Sequence, residues 1–225
     1  VCGRACVGVQ TRVGVGGRAC VGGGVRGGVG VCDRVGVCDG IGVRDGVRVR
    51  SRVSVRDGID VRDGIDFEGG HLRGALNIAL SGKYATWAGS MLSHEKPIVV
   101  IAEAGGEEEA VMRLGRIGFD NVAGFLAGGL RALEHRGDLV ERTERITAPA
   151  LAEWLAGKRA AAGAAPTVLD IRSEAEHAGG HVAGSLNIPL PKLEERIAEV
   201  PADRPVVVHC EGGYQSAIGV SLLQK

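Results

Sequence analysis

Residues 69–80 read GGHLRGALNIAL, and residues 179–190 read GGHVAGSLNIPL. Eight of the twelve positions are identical, and the two segments lie 110 residues apart. In a chain of 225 residues, self-similarity at this spacing indicates two copies of one module. We therefore expect a first module over residues 58–140 and a second module over residues 147–225.

Short apolar runs surround each repeated segment. Residues 59–62 and 169–172 each end in an Asp-x-Arg pattern, and residues 97–102 and 205–209 are apolar on both faces. Apolar runs of this length are typical of central parallel strands covered by helices. The pattern predicts an α/β fold in which each module is a small parallel sheet flanked by helices.

The connecting segments complete this prediction. In chain order we expect a helix over 107–117, a strand over 119–126, a short helix over 128–135, a charged linker over 136–145, a helix capped by Thr147, an amphipathic helix over 192–200 and a final helix from Ser216. Nothing in the second module corresponds to residues 119–137, so we expect it to lack a terminal strand and helix.

The first 58 residues contain 16 Gly and 16 Val but no Leu, Lys, Pro or aromatic residue. Without large apolar side chains they cannot bury much area, and glycine raises the entropy cost of ordering. We expect residues 1–57 to form a disordered low-complexity leader, with a small β-rich repeat stack as the alternative. Five of the six cysteines lie there at irregular spacings, which indicates neither a zinc site nor a disulfide framework.

The charge distribution also separates the leader from the modules. Residues 1–58 carry ten Arg against four Asp, a net charge of +6, and the remainder carries 17 basic against 23 acidic residues, a net charge of −6. This asymmetry argues against nucleic acid as a partner. No apolar run approaches the length of a membrane span and no signal segment opens the chain, so we expect a cytoplasmic protein without a membrane partner.

The two copies differ at the ends of the corresponding apolar runs over residues 97–102 and 205–209. The second module has Cys210 at this strand end, and the first module has Glu103. The loop after the cysteine consists of Glu211, Gly212, Gly213, Tyr214, Gln215 and Ser216. Backbone N–H groups in a glycine-containing loop before a helix stabilise an anion, so we expect Cys210 to be held as a thiolate.

These motifs, in this order and twice, resemble the rhodanese family of sulfurtransferases over about residues 58–225. The pairing is also similar to the tandem rhodanese portion that follows a metallo-β-lactamase-fold domain in persulfide dioxygenase fusions. The six histidines form no metal-binding cluster of that kind, so we expect no metal and no cofactor.

The resemblance implies a function for the second module. Cys210 would take sulfane sulfur from thiosulfate or a small persulfide and pass it to a thiol or cyanide, which is covalent catalysis in two displacements. The six loop residues would bind the donor, and Ser216 would also cap the helix. Gln215 stands where many members of the family have Arg, which favours a persulfide donor over thiosulfate.

Other interpretations stay open. The first module is expected to be inactive, because a carboxylate at position 103 cannot carry sulfane sulfur. The whole chain could instead be a non-catalytic binding or regulatory module, or a fragment of a persulfide dioxygenase fusion with a fused or associated sulfide-oxidising partner domain. His71 and His181 recur with the repeat, which favours loop-fixing hydrogen bonds over catalysis, and Asp60 and Asp170 are expected to pair with the Arg two residues later.

Overall fold

The computed structural model describes residues 7–10, 58–158 and 164–225. The predicted disordered leader therefore lies outside the described residues, except for the strand over residues 7–10. The strands are β1 Val7–Gln10, β2 Gly58–Asp60, β3 His71–Leu72, β4 Leu76–Asn77, β5 Ile98–Ile101, β6 Val122–Phe125, β7 Val140–Glu141, β8 Glu144–Ile146, β9 Thr167–Asp170, β10 Leu186–Asn187 and β11 Val206–His209. The α-helices are α1 Gly64–Gly69, α2 Tyr84–Met91, α3 Glu107–Gly115, α4 Ala148–Leu155, α5 Glu174–Gly179 and α6 Tyr214–Gln224.

The first module contains a four-stranded parallel sheet in the order β4-β2-β5-β6. Its central strand β5 is buried along its whole length, as the apolar run over residues 97–102 predicted. The predicted closing helix is a 3₁₀ helix over Gly129–Leu133. The α/β fold with parallel sheets flanked by helices is thus confirmed.

The second module has a sheet in the order β10-β9-β11-β1-β8. The first three strands are parallel, whereas β1 is antiparallel to both of its neighbours. β1 therefore lies beside β11 in the position that β6 has beside β5. Among the described residues, β11 is followed by α6.

In two segments the structure differs from the one that the sequence predicts. The charged linker over residues 136–145 contains β7, which pairs with β3, and most of β8 in the second sheet. The amphipathic helix expected over residues 192–200 is replaced by 3₁₀ turns over Leu190–Lys192 and Ile197–Glu199. Leu193 is fully buried while Ile197 stays 37% exposed. With Ile197 exposed between Leu193 and the partly buried Val200, the segment lacks the continuous apolar face that stabilises an α-helix.

The largest apolar core is shared by both modules, and α6 lies at its centre. This core contains Ile59 and Leu76 from the first module together with Leu169 and Ile218 from the second. Every residue from 216 to 223 in α6 is buried. The helix has small or apolar residues on all sides, a composition typical of helices that are covered all round.

Close packing holds α6 against its neighbours. A Cβ atom at Gly219 would lie 3.1 Å from Ile171 and 3.2 Å from Val208 in the second module. On the other side, a Cβ at Gly64 in α1 would lie 3.2 Å from Ala217. The helix that follows Cys210 is therefore enclosed by both modules. Among the described residues, no helix is long and apolar enough to cross a membrane.

Candidate active site

Cys210 lies directly after β11, at the start of the loop that leads into α6. Its side chain is buried, with 3% exposure, on the face of the sheet that packs against the shared core. The backbone N–H groups of Gly213 and Ser216 point at its sulfur, at nitrogen-to-sulfur distances of 3.1 and 3.3 Å. N–H groups in the first turn of a helix have no intrahelical acceptor, so they are free to stabilise an anionic sulfur.

Gly213 makes this geometry possible. It precedes the helix with φ of +89°, in the left-handed region that favours glycine. The Ser216 hydroxyl donates to the Gly213 carbonyl at 2.9 Å. The prediction that Ser216 caps α6 is wrong in its detail, because Gly213 occupies the cap position and the helix begins at Tyr214. The serine instead ties the first turn of the helix to the loop.

The other predicted loop residues lie at the rim of the sulfur site. Glu211 and Gly212 are exposed, whereas Tyr214 and Gln215 are half-buried. The Tyr214 hydroxyl donates to the backbone carbonyl of Ala79 in the first module at 3.0 Å. Burial raises the pKa of Tyr214 to about 12, so the phenol is protonated at neutral pH. The loop is thus attached to a segment that precedes it by more than a hundred residues.

An ion pair anchors the chain next to this loop. Asp170 accepts hydrogen bonds from the Arg172 backbone N–H at 3.0 Å and from its guanidinium at 2.6 Å. The same guanidinium donates to the Gly180 carbonyl, and Asn187 donates to the carbonyls of residues 170 and 172. Burial acts to raise the pKa of Asp170, but the hydrogen bonds from Arg172 and the electrostatic interactions with His209 and Arg172 together outweigh it, and the pKa lies below its ordinary value.

His209 points to the opposite face from Cys210, as strand alternation predicts. Its Nε2 atom lies 3.2 Å from Asp170 Oδ2, at ion-pair distance but outside hydrogen-bond geometry. This places the histidine between the ends of β9 and β11. We therefore regard His209 as part of the anchor beside the loop and not as a group that reaches the sulfur.

The first module repeats the anchor. Arg62 pairs with Asp60 at 2.6 Å and donates to the Gly70 carbonyl, and Asn77 donates to the carbonyls of residues 60 and 62. The expected Asp–Arg pairs are therefore present in both copies. Burial raises the pKa of Asp60, against the hydrogen bonds from Arg62.

The two repeated histidines each make a local hydrogen bond. His71 Nδ1 lies 2.8 Å from the carbonyl of Phe67, and His181 Nδ1 lies 2.9 Å from that of His177. These are loop-fixing contacts of the kind that the repeat predicted. His71 belongs to β3, which pairs with β7, and is buried, whereas His181 is exposed.

The loop of the first module differs from the Cys210 loop in its chemistry. The Glu103 side chain is 74% exposed, and its carboxylate lies 3.9 Å from the Arg62 guanidinium. The N–H of Gly105 donates at 2.8 Å to the carboxylate of Glu107 in the same loop. The Gly105 N–H is therefore already bound to the Glu107 carboxylate, and the Glu103 side chain points into solvent.

Sequence reasoning missed the residues that the first module contributes to the surroundings of Cys210. Ala79 accepts the Tyr214 hydroxyl, and Gly82 lies against the Tyr214 ring. No local spacing could reveal these contacts, because the residues lie on different modules. Within the described part of the chain, no group of three or more His, Cys, Asp or Glu side chains could hold a metal ion.

Comparison with known proteins agrees with the repeated architecture. The family model for the rhodanese-like domain matches residues 50–135 and again residues 151–225. Thiosulfate sulfurtransferase PspE of Escherichia coli is 36% identical over 59 residues, which cover 25% of this chain and 57% of the relative. The HTH-type transcriptional regulator Rv0324 of Mycobacterium tuberculosis is 42% identical over 48 residues, which cover 21% of each chain.

Among solved structures, the chain is similar to a thiosulfate sulfurtransferase from Pseudomonas aeruginosa. The sequence identity is 26% and the TM-score 0.35, over 73% of this chain and 34% of that protein. The chain spans between 21% and 57% of the length of the curated relatives it matches. Because the family model covers both modules, the chain belongs to the rhodanese family and carries two rhodanese-like domains in tandem.

Proposed function

We propose that the chain is a sulfurtransferase in which Cys210 carries the transferred sulfur. The observation that carries the proposal is the pair of N–H groups, from Gly213 and Ser216, directed at a buried sulfur. These donors would stabilise the attacking thiolate and the anionic persulfide formed from it. PspE, which bears the name of a thiosulfate sulfurtransferase, supports the same reaction class.

The reaction proceeds in two displacements. The Cys210 thiolate attacks the outer sulfur of thiosulfate and forms a new S–S bond, while the old S–S bond breaks and sulfite leaves with the electron pair. With a small persulfide as donor, the leaving group is the corresponding thiolate. A thiolate or cyanide acceptor then attacks the terminal sulfur of the Cys210 persulfide and regenerates the Cys210 thiolate, so no external oxidant is needed.

The surroundings of the sulfur favour a small donor of low charge. Cys210 is 3% exposed, so only a slender donor reaches it. Gln215 supplies no positive charge, and the nearby Arg172 guanidinium is already paired with Asp170. Glu211 adds a negative charge that interacts with Arg172. We therefore propose a low-molecular-weight persulfide as the better donor and thiosulfate as the weaker one.

The first module is proposed to be inactive. The Gly105 N–H in its loop donates to the Glu107 carboxylate, and the Glu103 side chain faces solvent. An anionic sulfur placed there would meet a carboxylate in place of free donors. We assign this module a structural role.

The test compares the full chain with Cys210→Ser after exposure to thiosulfate or glutathione persulfide. Mass spectrometry of the peptide that contains residue 210 is expected to show one added sulfur atom in the wild type and none in the variant. Transfer to cyanide is expected only from the wild type. A matched control places the thiol in the other loop, as Glu103→Cys in the Cys210→Ser background. We expect no sulfur transfer from it. Equal transfer by wild type and Cys210→Ser would refute the proposal.

A non-catalytic module is the second candidate. It is favoured by the match to the regulator Rv0324 and by the low exposure of Cys210. This candidate predicts that neither donor adds sulfur to Cys210. The same mass measurement therefore separates the two functions.

A further inference from the structure

The loop over residues 79–82 of the first module is fixed at several points. The Leu80 N–H donates to the Val61 carbonyl at 3.0 Å, and the Leu80 carbonyl accepts from the Arg113 guanidinium at 2.9 Å. The Ser81 hydroxyl donates to the Asp63 carboxylate. This segment, which we call the seat loop, is therefore held in one conformation by the first module itself.

The seat loop receives the Tyr214 side chain of the second module. The tyrosine hydroxyl donates to the Ala79 carbonyl at 3.0 Å. A Cβ atom at Gly82 would overlap Cε2 and Cζ of the Tyr214 ring. Gly82 has no positive φ, so its backbone would tolerate a side chain, and the three atoms nearest to an added Cβ all belong to the Tyr214 ring. The contact thus requires glycine at position 82.

Tyr214 is directly linked to the groups that hold the sulfur. It follows Gly213, whose N–H donates to Cys210 and whose carbonyl accepts from Ser216. It also begins α6, so a displacement of its ring is transmitted to the first turn of the helix. The N–H of Ser216 lies in that same turn.

We infer that the catalytically inactive module positions the sulfur site, because the seat loop holds Tyr214 and thereby aligns the two N–H donors on Cys210. This inference deepens the proposed sulfur-transfer function and rests on it. Gly82 and Tyr214 are positioning residues that act through the loop and do not touch the transferred sulfur. The first module is then retained because the second module needs it to complete its site.

Gly82→Ala tests this arrangement, with Gly89→Ala as the matched control. Gly89 is an exposed glycine of α2 with no positive φ, and a Cβ there would meet nothing within 4 Å. The readout is the rate of Cys210 alkylation by iodoacetamide as a function of pH, which reports the thiolate fraction without any sulfur donor. We expect Gly82→Ala to lower the alkylation rate at neutral pH roughly fivefold, as for one weakened hydrogen bond to a charged group. We expect Gly89→Ala to match the wild type.

Removal of the ring provides the second arm. In a Tyr214→Ala background the obstacle at position 82 is gone, so Gly82→Ala should have no further effect on alkylation. An unchanged pH profile for Gly82→Ala, or an equal loss with and without the Tyr214 ring, would overturn the inference. If the wild-type chain takes up no sulfur, the proposed function fails, and the alkylation comparison still decides whether the seat loop aligns the cysteine.

Discussion

Ser221 joins the two modules through one buried hydrogen bond. Its hydroxyl oxygen accepts the backbone N–H of Asn77, on β4 of the first module, at 3.0 Å and donates to the Ile218 carbonyl at 2.8 Å. The serine is fully buried within α6. Ser221→Ala would leave the Asn77 N–H buried without an acceptor, which costs about 1–3 kcal/mol. Alanine regains roughly 0.5 kcal/mol of helix propensity, so we expect a net loss of about 0.5–2.5 kcal/mol.

The assay is urea unfolding followed separately in each module. The chain has two tryptophans, Trp87 in α2 of the first module and Trp154 in α4 of the second. Trp87→Phe and Trp154→Phe each leave one fluorescent reporter. Because the core is continuous through α6, both reporters should give the same midpoint in the parent protein. Ser221→Ala should lower both by about 0.3–1.2 M urea, for a slope of about 2 kcal/mol per M.

Ser90→Ala is the matched control for this experiment. Ser90 also lies in a helix and donates to the carbonyl three residues earlier, but it is exposed. We expect its replacement to be neutral or slightly stabilising. If Ser221→Ala shifts only the Trp154 reporter, or if the two reporters of the parent protein unfold at different urea concentrations, the modules do not share a cooperative core and the argument fails.

Two further predictions concern His71 and Gln215. Burial lowers the pKa of His71 from its usual 6.5, so the unfolded chain takes up a proton before the folded chain does, and stability should fall as pH drops below about 6.5. This histidine contributes a slope of at most about 1.4 kcal/mol per pH unit, and His71→Asn should flatten it. Urea midpoints as a function of pH provide the check, and an unchanged slope in His71→Asn would contradict it. Gln215→Arg should raise kcat/KM for thiosulfate roughly tenfold, because it adds a charge-assisted hydrogen bond, with little change for glutathione persulfide. An equal change for both donors would show that charge at position 215 does not discriminate between them.

The features that sequence reasoning recovered depend on short separations along the chain. Asp170 and Arg172 are two residues apart, and the Cys210 sulfur meets N–H groups three and six residues later. Such relations are set by local backbone geometry, and the repeat displays them twice. Both Asp–Arg pairs, the parallel strands and the loop around the cysteine could therefore be predicted.

Other features depend on contacts that local patterns do not encode. The helix expected over residues 192–200 is absent because Leu193 is fully buried in the core while Ile197 stays exposed, which leaves no continuous apolar face. The charged linker contains strands because β3 and the second sheet pair with it. The partners Tyr214 and Ala79 are 135 residues apart, and Ser221 and Asn77 are 144 apart.

By itself, then, the sequence determined that the chain is a duplicated α/β module with one thiol at a strand end. The duplication follows from the repeat at a separation of 110 residues, and the other properties follow from residue type and from spacings within about ten residues. Only the tertiary structure decided that α6 is enclosed by both modules, that Tyr214 sits on Gly82, and that residues 7–10 pair with β11. α6 is buried on all sides because elements of both modules cover it, and those elements come from distant parts of the chain.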